Sequence, residues 1–236
     1  MGRLVFANPS FYIFSMINSC VFDLDGVIVD TAKYHFVAWR RLAAEFGYEL
    51  TESQNEKLKG VGRRASLDLI LKWAGVSLSE SEKQAATDRK NEWYRALIAG
   101  MSPDEILEGV IPFLKDLKSR HIPFGLGSAS SNAALILEKT GLADCFEVVI
   151  DGTKVTKGKP DPQTFLMAAD AMGVAPSECI VFEDSQKGIE AAIRGGFWAI
   201  GIGEPAVLSG AHAVVPNFIG HNFETITALL PATAMS

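Results

Sequence analysis

Short apolar runs alternate along the chain with longer segments in which apolar residues return every three or four positions. The runs are typical of buried strands, and the longer segments are typical of amphipathic helices. The strands predicted in this way cover residues 18–24, 123–127, 146–150, 179–182, 198–202 and 213–214. Strands that alternate with helices pair in parallel and are covered on both faces. The predicted fold class is therefore α/β, with a doubly wound, Rossmann-like parallel sheet.

Residues 31–98 interrupt this alternation with helical segments and no predicted strand. Two of these helices begin with a capping-box pair, Thr51 with Gln54 and Ser79 with Glu82. The segment therefore predicts an inserted α-helical cap domain. The predicted domain organisation is an extension at 1–15, a core formed by 16–30 and 99–236, and the cap at 31–98, with Met16 as a plausible alternative start.

Composition and charge narrow the classes of partner. The chain is 48% hydrophobic and 21% charged, which is ordinary for a globular protein and excludes a disordered, collagen-like or coiled-coil chain. Its formal net charge of −6 disfavours binding to nucleic acid or to an anionic membrane. The apolar start lacks a cleavage site, so we favour an extension over a signal peptide. Cys20, Cys145 and Cys179 lie in apolar runs and cannot all pair, which indicates a reducing, cytoplasmic environment.

Acidic side chains follow two of the predicted strands. Asp23 and Asp25 lie two residues apart at the end of the first strand, on one face of an extended chain. Two aspartates spaced in this way and found alone are more often part of an acidic turn at the end of a strand. Here, however, Glu183 and Asp184 follow the 179–182 strand at the same edge of the sheet. Clustered carboxylates repel one another unless a cation or proton joins them, and Mg²⁺ prefers oxygen ligands. A metal site is predicted here, although Asp184 or Ser185 could at the same time cap a helix.

Two further segments have the composition of an anion site. The serine-rich loop 127–132 follows a strand and opens a helix, so hydroxyls and backbone N–H groups converge on a positive helix end. Lys159 precedes a rigid turn that contains two prolines, and a lysine held in this way can act as a point charge for phosphate. Each segment is weak alone, because serine-rich loops are usually turns and most lysines are solvated.

The four motifs occur in an order that resembles the haloacid dehalogenase-like phosphotransferase superfamily. Within it the chain is most similar to the β-phosphoglucomutase family, through segments 30–35, 38–39, 57–63 and 89–91. The resemblance covers about residues 16–230. Two positions depart from the pattern of that family, in which Ser often replaces Gly62 and Lys often replaces Ser131. The change at Ser131 removes a positive side chain from the anion loop and leaves the backbone donors in place.

The resemblance implies a role for each matching residue. Asp23 would be the nucleophile that becomes an aspartyl phosphate, and Asp25 the general acid and base that serves the sugar hydroxyl. Mg²⁺ would be held by Asp23, the Asp25 carbonyl, Glu183 and Asp184. The phosphate- and substrate-binding residues of the core would be Ser128, Ala129, Ser130, Asn132 and Lys159. The corresponding residues at the hinge and in the cap would be Thr31, His35, Trp39, Leu58, Gly60, Val61, Arg63, Ser66 and Lys90, with Arg63 on the distal phosphate.

The implied reaction interconverts β-D-glucose 1-phosphate and glucose 6-phosphate through β-glucose 1,6-bisphosphate as the phosphorylating intermediate. The expected partner is a small phosphosugar, and the expected state is a monomer without nucleic acid or membrane. A Mg²⁺-dependent sugar-phosphate phosphatase is the alternative, because the same core can pass the phosphoryl group to water. A phosphosugar-binding protein that has lost catalysis is a third possibility. The presence of all four acidic residues argues against it.

Overall fold

The computed structural model describes residues 17–231, so the predicted extension 1–15 and the alternative start at Met16 lie outside the described residues. The strands within this range are β1 Ser19–Phe22, β2 Phe124–Gly127, β3 Val148–Ile150, β4 Cys179–Glu183, β5 Trp198–Ile202 and β6 Ala213–Val215. The α-helices are α1 Ala32–Glu45, α2 Glu52–Glu56, α3 Arg63–Ala74, α4 Glu80–Ile98, α5 Val110–Ser119, α6 Ala133–Lys139, α7 Gln163–Met172, α8 Gln186–Arg194 and α9 Phe223–Thr227. Short 3₁₀ turns occupy Pro103–Glu105 and Pro176–Glu178.

The strands form one sheet in the order β3-β2-β1-β4-β5-β6, and every pair is parallel. The order of the strands reverses between β1 and β4, where Ser19 pairs with Cys179 and Phe22 with Phe182. In open α/β sheets, ligands bind beyond the carboxyl ends of the strands at such a reversal. The prediction of a doubly wound parallel sheet is confirmed.

Both faces of the sheet are covered, because successive side chains of a strand point to opposite faces. Phe22 and Phe182 stack with their ring centroids 4.8 Å apart, in the cluster that contains the apolar faces of α5, α6 and α9. Val21 and Val181 belong to a second cluster, with residues of α7 and α8. The continuous apolar runs of β1 and β4 follow from this burial on both sides.

Helices α1, α3 and α4 share a third apolar cluster, apart from the two that cover the sheet, and Leu50 and Leu58 on either side of α2 join it. Trp39 and Leu42 of α1 pack there with Leu67 and Ile70 of α3. Both predicted capping boxes are present, at the starts of α2 and α4. The four helices lie within the predicted insertion, and the residue bounds of core and cap stay a prediction.

Several elements are shorter than the sequence predicts, among them β3, which begins at Val148 instead of residue 146, and the helix that begins after Thr51, for which the stop was expected at Gly60. Strand β1 ends at Phe22 instead of residue 24, because the N–H groups of Val27 and Ile28 turn back to bond the Leu24 carbonyl. Helix α2 ends at Glu56, because the following residues form tighter bonds three positions back. None of the helices in residues 17–231 is both long enough and apolar enough to cross a membrane.

Candidate active site

Three carboxylates meet at the reversal of the strand order. Asp23 directly follows β1, Glu183 ends β4, and Asp184 comes next in the chain. One carboxylate oxygen from each residue lies within 4.8 Å of the other two. Because β1 and β4 are adjacent and parallel, their ends bring these acids together although 160 positions separate Asp23 from Glu183 in the sequence. Oxygen-only donor sets of this kind fit a hard divalent cation such as Mg²⁺.

Lys159 connects two of these acids beneath the cavity. Its Nζ donates to Asp23 Oδ1 at 2.5 Å and to Glu183 Oε2 at 2.7 Å, and its side chain is fully buried. Burial alone would lower the pKa of Lys159, but the adjacent carboxylates of Asp23 and Glu183 outweigh it and raise the pKa. The lysine therefore stays charged.

Burial also governs the protonation of the aspartates. It raises the pKa of Asp23 to about 8, against the attraction of Lys159 and with further support from the negative charge of Glu183. Burial and the neighbouring Glu183 and Asp23 raise the pKa of Asp184 well above its usual range. Carboxylates whose charges are incompletely neutralised behave in this way, and a bound cation would remove the repulsion.

Asp25 is held from the side of the hinge. The Thr31 hydroxyl donates to Asp25 Oδ1, and His35 Nε2 lies 3.9 Å from the same oxygen. Burial raises the pKa of Asp25, while the hydrogen bond from Thr31 and the charges of Lys159 and Lys90 lower it. A carboxyl whose pKa lies above its usual range is suited to exchange protons as a general acid and base.

His35 is a half-buried, neutral ring. Burial lowers the pKa of His35 well below its usual range, and the charges of Lys90 and Arg63 lower it further. The Lys90 ammonium lies 3.0 Å from His35 Nδ1. When Lys90 is charged it can only donate, so Nδ1 then accepts and the ring hydrogen is on Nε2, which faces Asp25.

The serine-rich loop precedes α6 and is held by hydrogen bonds among its own residues. The Ser130 N–H donates to Ser128 Oγ at 3.0 Å, and the Asn132 N–H donates to Ser130 Oγ at 3.2 Å. Ser128 is fixed in turn by its own N–H, which donates to the Ile150 carbonyl of β3. We call residues 128–132 the anion loop, because its donors converge at the start of a helix.

The cap forms the opposite wall of the cavity. Arg63, the first residue of α3, donates to Ser131 Oγ at 2.5 Å and so reaches across to the anion loop. Lys90 of α4 is buried, with its Nζ 4.4 Å from the Trp39 ring centroid and 4.6 Å from that of Tyr94. Burial lowers the pKa of Lys90 to about 7, with a further contribution from Arg63. Within residues 17–231, no carboxylate is in contact with this lysine of the cap.

Two glycines allow the chain to approach the acidic centre closely. Gly26 has a φ of +82° and Gly60 a φ of +66°, a region that L-residues with side chains rarely adopt. A Cβ on Gly26 would collide with the Asp184 carboxylate, and one on Gly60 would collide with the Ser185 hydroxyl. The cap loop that carries Gly60 therefore lies directly against the end of β4.

The predicted site residues assemble around one cavity. Those that line it are Asp23, Asp25, His35, Trp39, Leu58, Gly60, Val61, Arg63, Ser66, Lys90, Ala129, Ser130, Asn132 and Asp184. Thr31, Ser128, Lys159 and Glu183 are buried behind this lining. Other residues that line the cavity had been given no individual binding or catalytic role from the sequence, and they are Gly26, Ala32, Asn55, Lys59, Asn91, Tyr94 and Ser131. Helical spacing could have found Tyr94, because it lies one turn after Lys90.

This site combines clustered acids, a buried lysine and an anion loop at one edge of a parallel sheet, under a helical cap. The arrangement is typical of enzymes that transfer phosphoryl groups. The model of the haloacid dehalogenase-like hydrolase family matches residues 17–196, and the chain belongs to this family. The resemblance inferred from the motifs is thereby confirmed.

The relatives of this chain include both mutases and phosphatases. The chain is 41% identical to the β-phosphoglucomutase of Bacillus subtilis over 197 residues, which is 83% of this chain and 87% of that protein. It is 31% identical to a phosphorylated carbohydrates phosphatase of Thermotoga maritima over 180 residues, which is 75% of this chain and 80% of that protein. The crystal structure of a β-phosphoglucomutase from Clostridium difficile matches with a TM-score of 0.87 and 40% identity, covering 91% of this chain and 97% of that one.

Proposed function

We propose that the protein is an isomerase that interconverts β-D-glucose 1-phosphate and glucose 6-phosphate by way of β-glucose 1,6-bisphosphate. The observation that carries this proposal is the composition of the cavity, whose core wall has the acidic centre and the anion loop and whose cap wall has Arg63 and Lys90. A mutase must hold one phosphate while the other reacts, so anion-binding groups on both walls suit it. The relative from Bacillus subtilis supports the same choice.

The acidic centre is proposed to hold Mg²⁺. The ligands would be Asp23, Glu183, Asp184 and the carbonyl of Asp25, an oxygen-only set that fits this ion. When bound, the ion would neutralise charge on the oxygens of the phosphoryl group. The raised pKa of Asp184 supports a cation at this place, because the repulsion that raises it would then be relieved.

The phosphoryl group would move between Asp23 and the sugar. An oxygen of the Asp23 carboxylate attacks phosphorus, and the bond from phosphorus to the sugar oxygen breaks. Asp25 gives a proton to that leaving oxygen and removes one from the attacking hydroxyl in the return direction. Thr31 and His35 orient Asp25 for both directions.

The remaining residues would bind and align. Lys159 and the anion loop, with Ser128, Ala129, Ser130 and Asn132, would hold the transferring group. Arg63 would grip the distal phosphate, because a guanidinium can bind two phosphate oxygens at once. Lys90, Trp39, Leu58, Gly60, Val61 and Ser66 would surround the sugar. All of these residues come from one chain, so we propose a monomer as the working unit, which size-exclusion chromatography with light scattering tests.

The second candidate is a sugar-phosphate phosphatase. It would use the same acidic centre and differ only in that water attacks the aspartyl phosphate. The phosphatase from Thermotoga maritima is the relative that favours it. A non-catalytic binding protein is a weaker candidate, because the acids and Lys159 of the core are all present.

The product distribution separates these candidates. Purified protein is incubated with Mg²⁺, β-glucose 1-phosphate and a trace of β-glucose 1,6-bisphosphate. Rapid formation of glucose 6-phosphate supports the mutase, whereas stoichiometric release of inorganic phosphate identifies a phosphatase. Absence of Mg²⁺-dependent activity on any phosphosugar would favour a binding protein.

Replacing the nucleophile tests both catalytic candidates. We expect Asp23→Ala to lower turnover by at least about 10³-fold, because the aspartyl phosphate can no longer form. Asp170→Ala, at an exposed position of α7, is the matched control and should keep full activity. Turnover by Asp23→Ala close to that of the control would exclude a covalent route through Asp23.

A further inference from the structure

Asn91 is a cavity-lining residue to which the proposed reaction gives no role. It lies on α4, next to Lys90, and is half-buried. Its Oδ1 accepts a hydrogen bond of 2.9 Å from Nδ2 of Asn132, which belongs to the anion loop. The bond therefore joins the cap to the core across the cavity.

Asn132 depends on this contact for its orientation. It precedes the first residue of α6, yet its side chain makes no capping bond to that helix. It is nevertheless 5% exposed, so its amide needs a partner inside the protein. An amide nitrogen carries two hydrogens, and Asn91 uses one of them, which leaves the other for a ligand in the cavity.

Besides the contacts of Thr31 and His35 with Asp25, other polar contacts cross between the cap and the core near this cavity. Arg63 donates to Ser131, and Lys59 Nζ lies 3.7 Å from Asp184 Oδ2. Both use groups that the proposed ligands compete for, because Arg63 would turn to a phosphate and Asp184 to a cation. The amide pair of Asn91 and Asn132 is neutral, so it can persist when a phosphosugar and a metal ion are bound.

We propose that Asn91 is a positioning residue that determines whether the aspartyl phosphate passes to the sugar or to water, because its bond to Asn132 keeps α4 closed over the anion loop. This inference rests on the proposed phosphoryl transfer through Asp23. A sugar hydroxyl and a water molecule attack the same phosphorus atom, and in each case the bond to the Asp23 oxygen breaks. Water yields inorganic phosphate, and its access depends on how completely the cap excludes solvent.

The test measures a ratio of products. We expect Asn91→Ala and Asn91→Leu to lower the ratio of glucose 6-phosphate to inorganic phosphate about fivefold, the effect of losing one ordinary hydrogen bond from the closed state. Leu has the branched shape and the same number of side-chain heavy atoms as Asn but lacks the acceptor, so together with Ala it separates the hydrogen bond from packing. Glu92→Ala, an exposed change on the same helix, is the control. A residue that only supports folding would lower both products in proportion and leave the ratio unchanged.

Two further measurements make the outcome decisive. In an Asn132→Ala background, Asn91→Ala should change the ratio no further, because the partner is already absent.

Hydrogen exchange of cap loop 57–62, with inorganic phosphate and Mg²⁺ bound, should be about fivefold faster in both Asn91 variants than in the wild type. This second measurement requires no turnover, so it tests Asn91 even if the wild type proves to be a phosphatase. Exchange and product ratios equal to those of Glu92→Ala would overturn the inference.

Discussion

Two buried lysines face the same reaction centre from opposite walls, and their environments differ in kind. Lys159 of the core contacts two carboxylates at 2.5 and 2.7 Å, which raise its pKa. Lys90 of the cap contacts a neutral imidazole and two aromatic rings, and its pKa falls to about 7. Burial is nearly complete for both, so the partners and not the burial determine whether the charge persists.

The comparison shows how the two walls divide the work. The core wall is already arranged for its task, because parallel strands fix Asp23 and Glu183 around a charged lysine. The cap wall has charged groups whose partners are incomplete until an anion enters. A dianionic phosphosugar would supply the missing negative charge and raise the pKa of Lys90. Binding and cap closure are thereby coupled through electrostatics.

Removing the core lysine should have the largest effect on stability. We expect Lys159→Met to lower the free energy of unfolding at pH 7 by about 3–5 kcal/mol, because Asp23 and Glu183 lose the cation that pairs with them. Lys157→Met changes an exposed lysine of the same loop and is the control. Urea denaturation measures the difference. Equal unfolding midpoints for the two variants would show that the core ion network contributes nothing net.

Removing Lys90, the cap lysine, should change how the free energy of unfolding depends on pH. The unfolded chain keeps the proton of Lys90 to about pH 10.4, whereas the folded chain loses it near pH 7. Between these values the unfolded state binds more protons, so this residue makes the free energy of unfolding rise with pH. Between pH 7 and pH 9.5, the free energy of unfolding of the wild type should rise by about 3 kcal/mol relative to that of Lys90→Met.

Denaturation of both proteins at several pH values gives this difference directly, because titrations common to both cancel. The exposed Lys118→Met is the control, and it should run parallel to the wild type. A difference between wild type and Lys90→Met that stays constant with pH would mean that Lys90 is charged in the folded protein throughout, like Lys159.

The smallest expected effect is on Mg²⁺ affinity, and it comes from changing Lys59, where the cap wall contacts the core wall. Lys59 of the cap lies 3.7 Å from Asp184 and is 30% exposed at its side chain. Its positive charge opposes a cation at the acidic centre, so Lys59→Met should tighten Mg²⁺ binding about two- to fivefold. Calorimetric titration with Mg²⁺ measures the affinity, and Lys57→Met on the same loop is the control. Weaker Mg²⁺ binding by Lys59→Met would show instead that Lys59 arranges the metal ligands.

Most of the fold could be predicted from local patterns. The six strands and the main helices appear where apolar periodicity changes, and the capping boxes at Thr51 and Ser79 begin helices as expected. The errors are at ends, as in β1, where the chain turns at Leu24 through bonds that periodicity does not encode. Such ends depend on which carbonyl a nearby N–H can reach.

The site was predictable where its residues follow strands. Asp23 and Glu183 could be placed at one edge because parallel strands end together. The contact of Asn91 with the anion loop could not be predicted, because helix α4 has a weak apolar pattern and its orientation over that loop depends on how the cap packs. The pairing of Arg63 with Ser131 is unpredictable for the same reason, since it joins two segments with no common local signal.

The sequence by itself determined the parallel sheet, the helical insertion and the acids and donors that leave the sheet at one edge, because these follow from periodicity and strand order. Only the tertiary structure decided the protonation of the two lysines and the contacts between cap and core. Those properties depend on distances of a few ångströms between segments far apart in the chain, and electrostatic and hydrogen-bond energies change steeply over such distances.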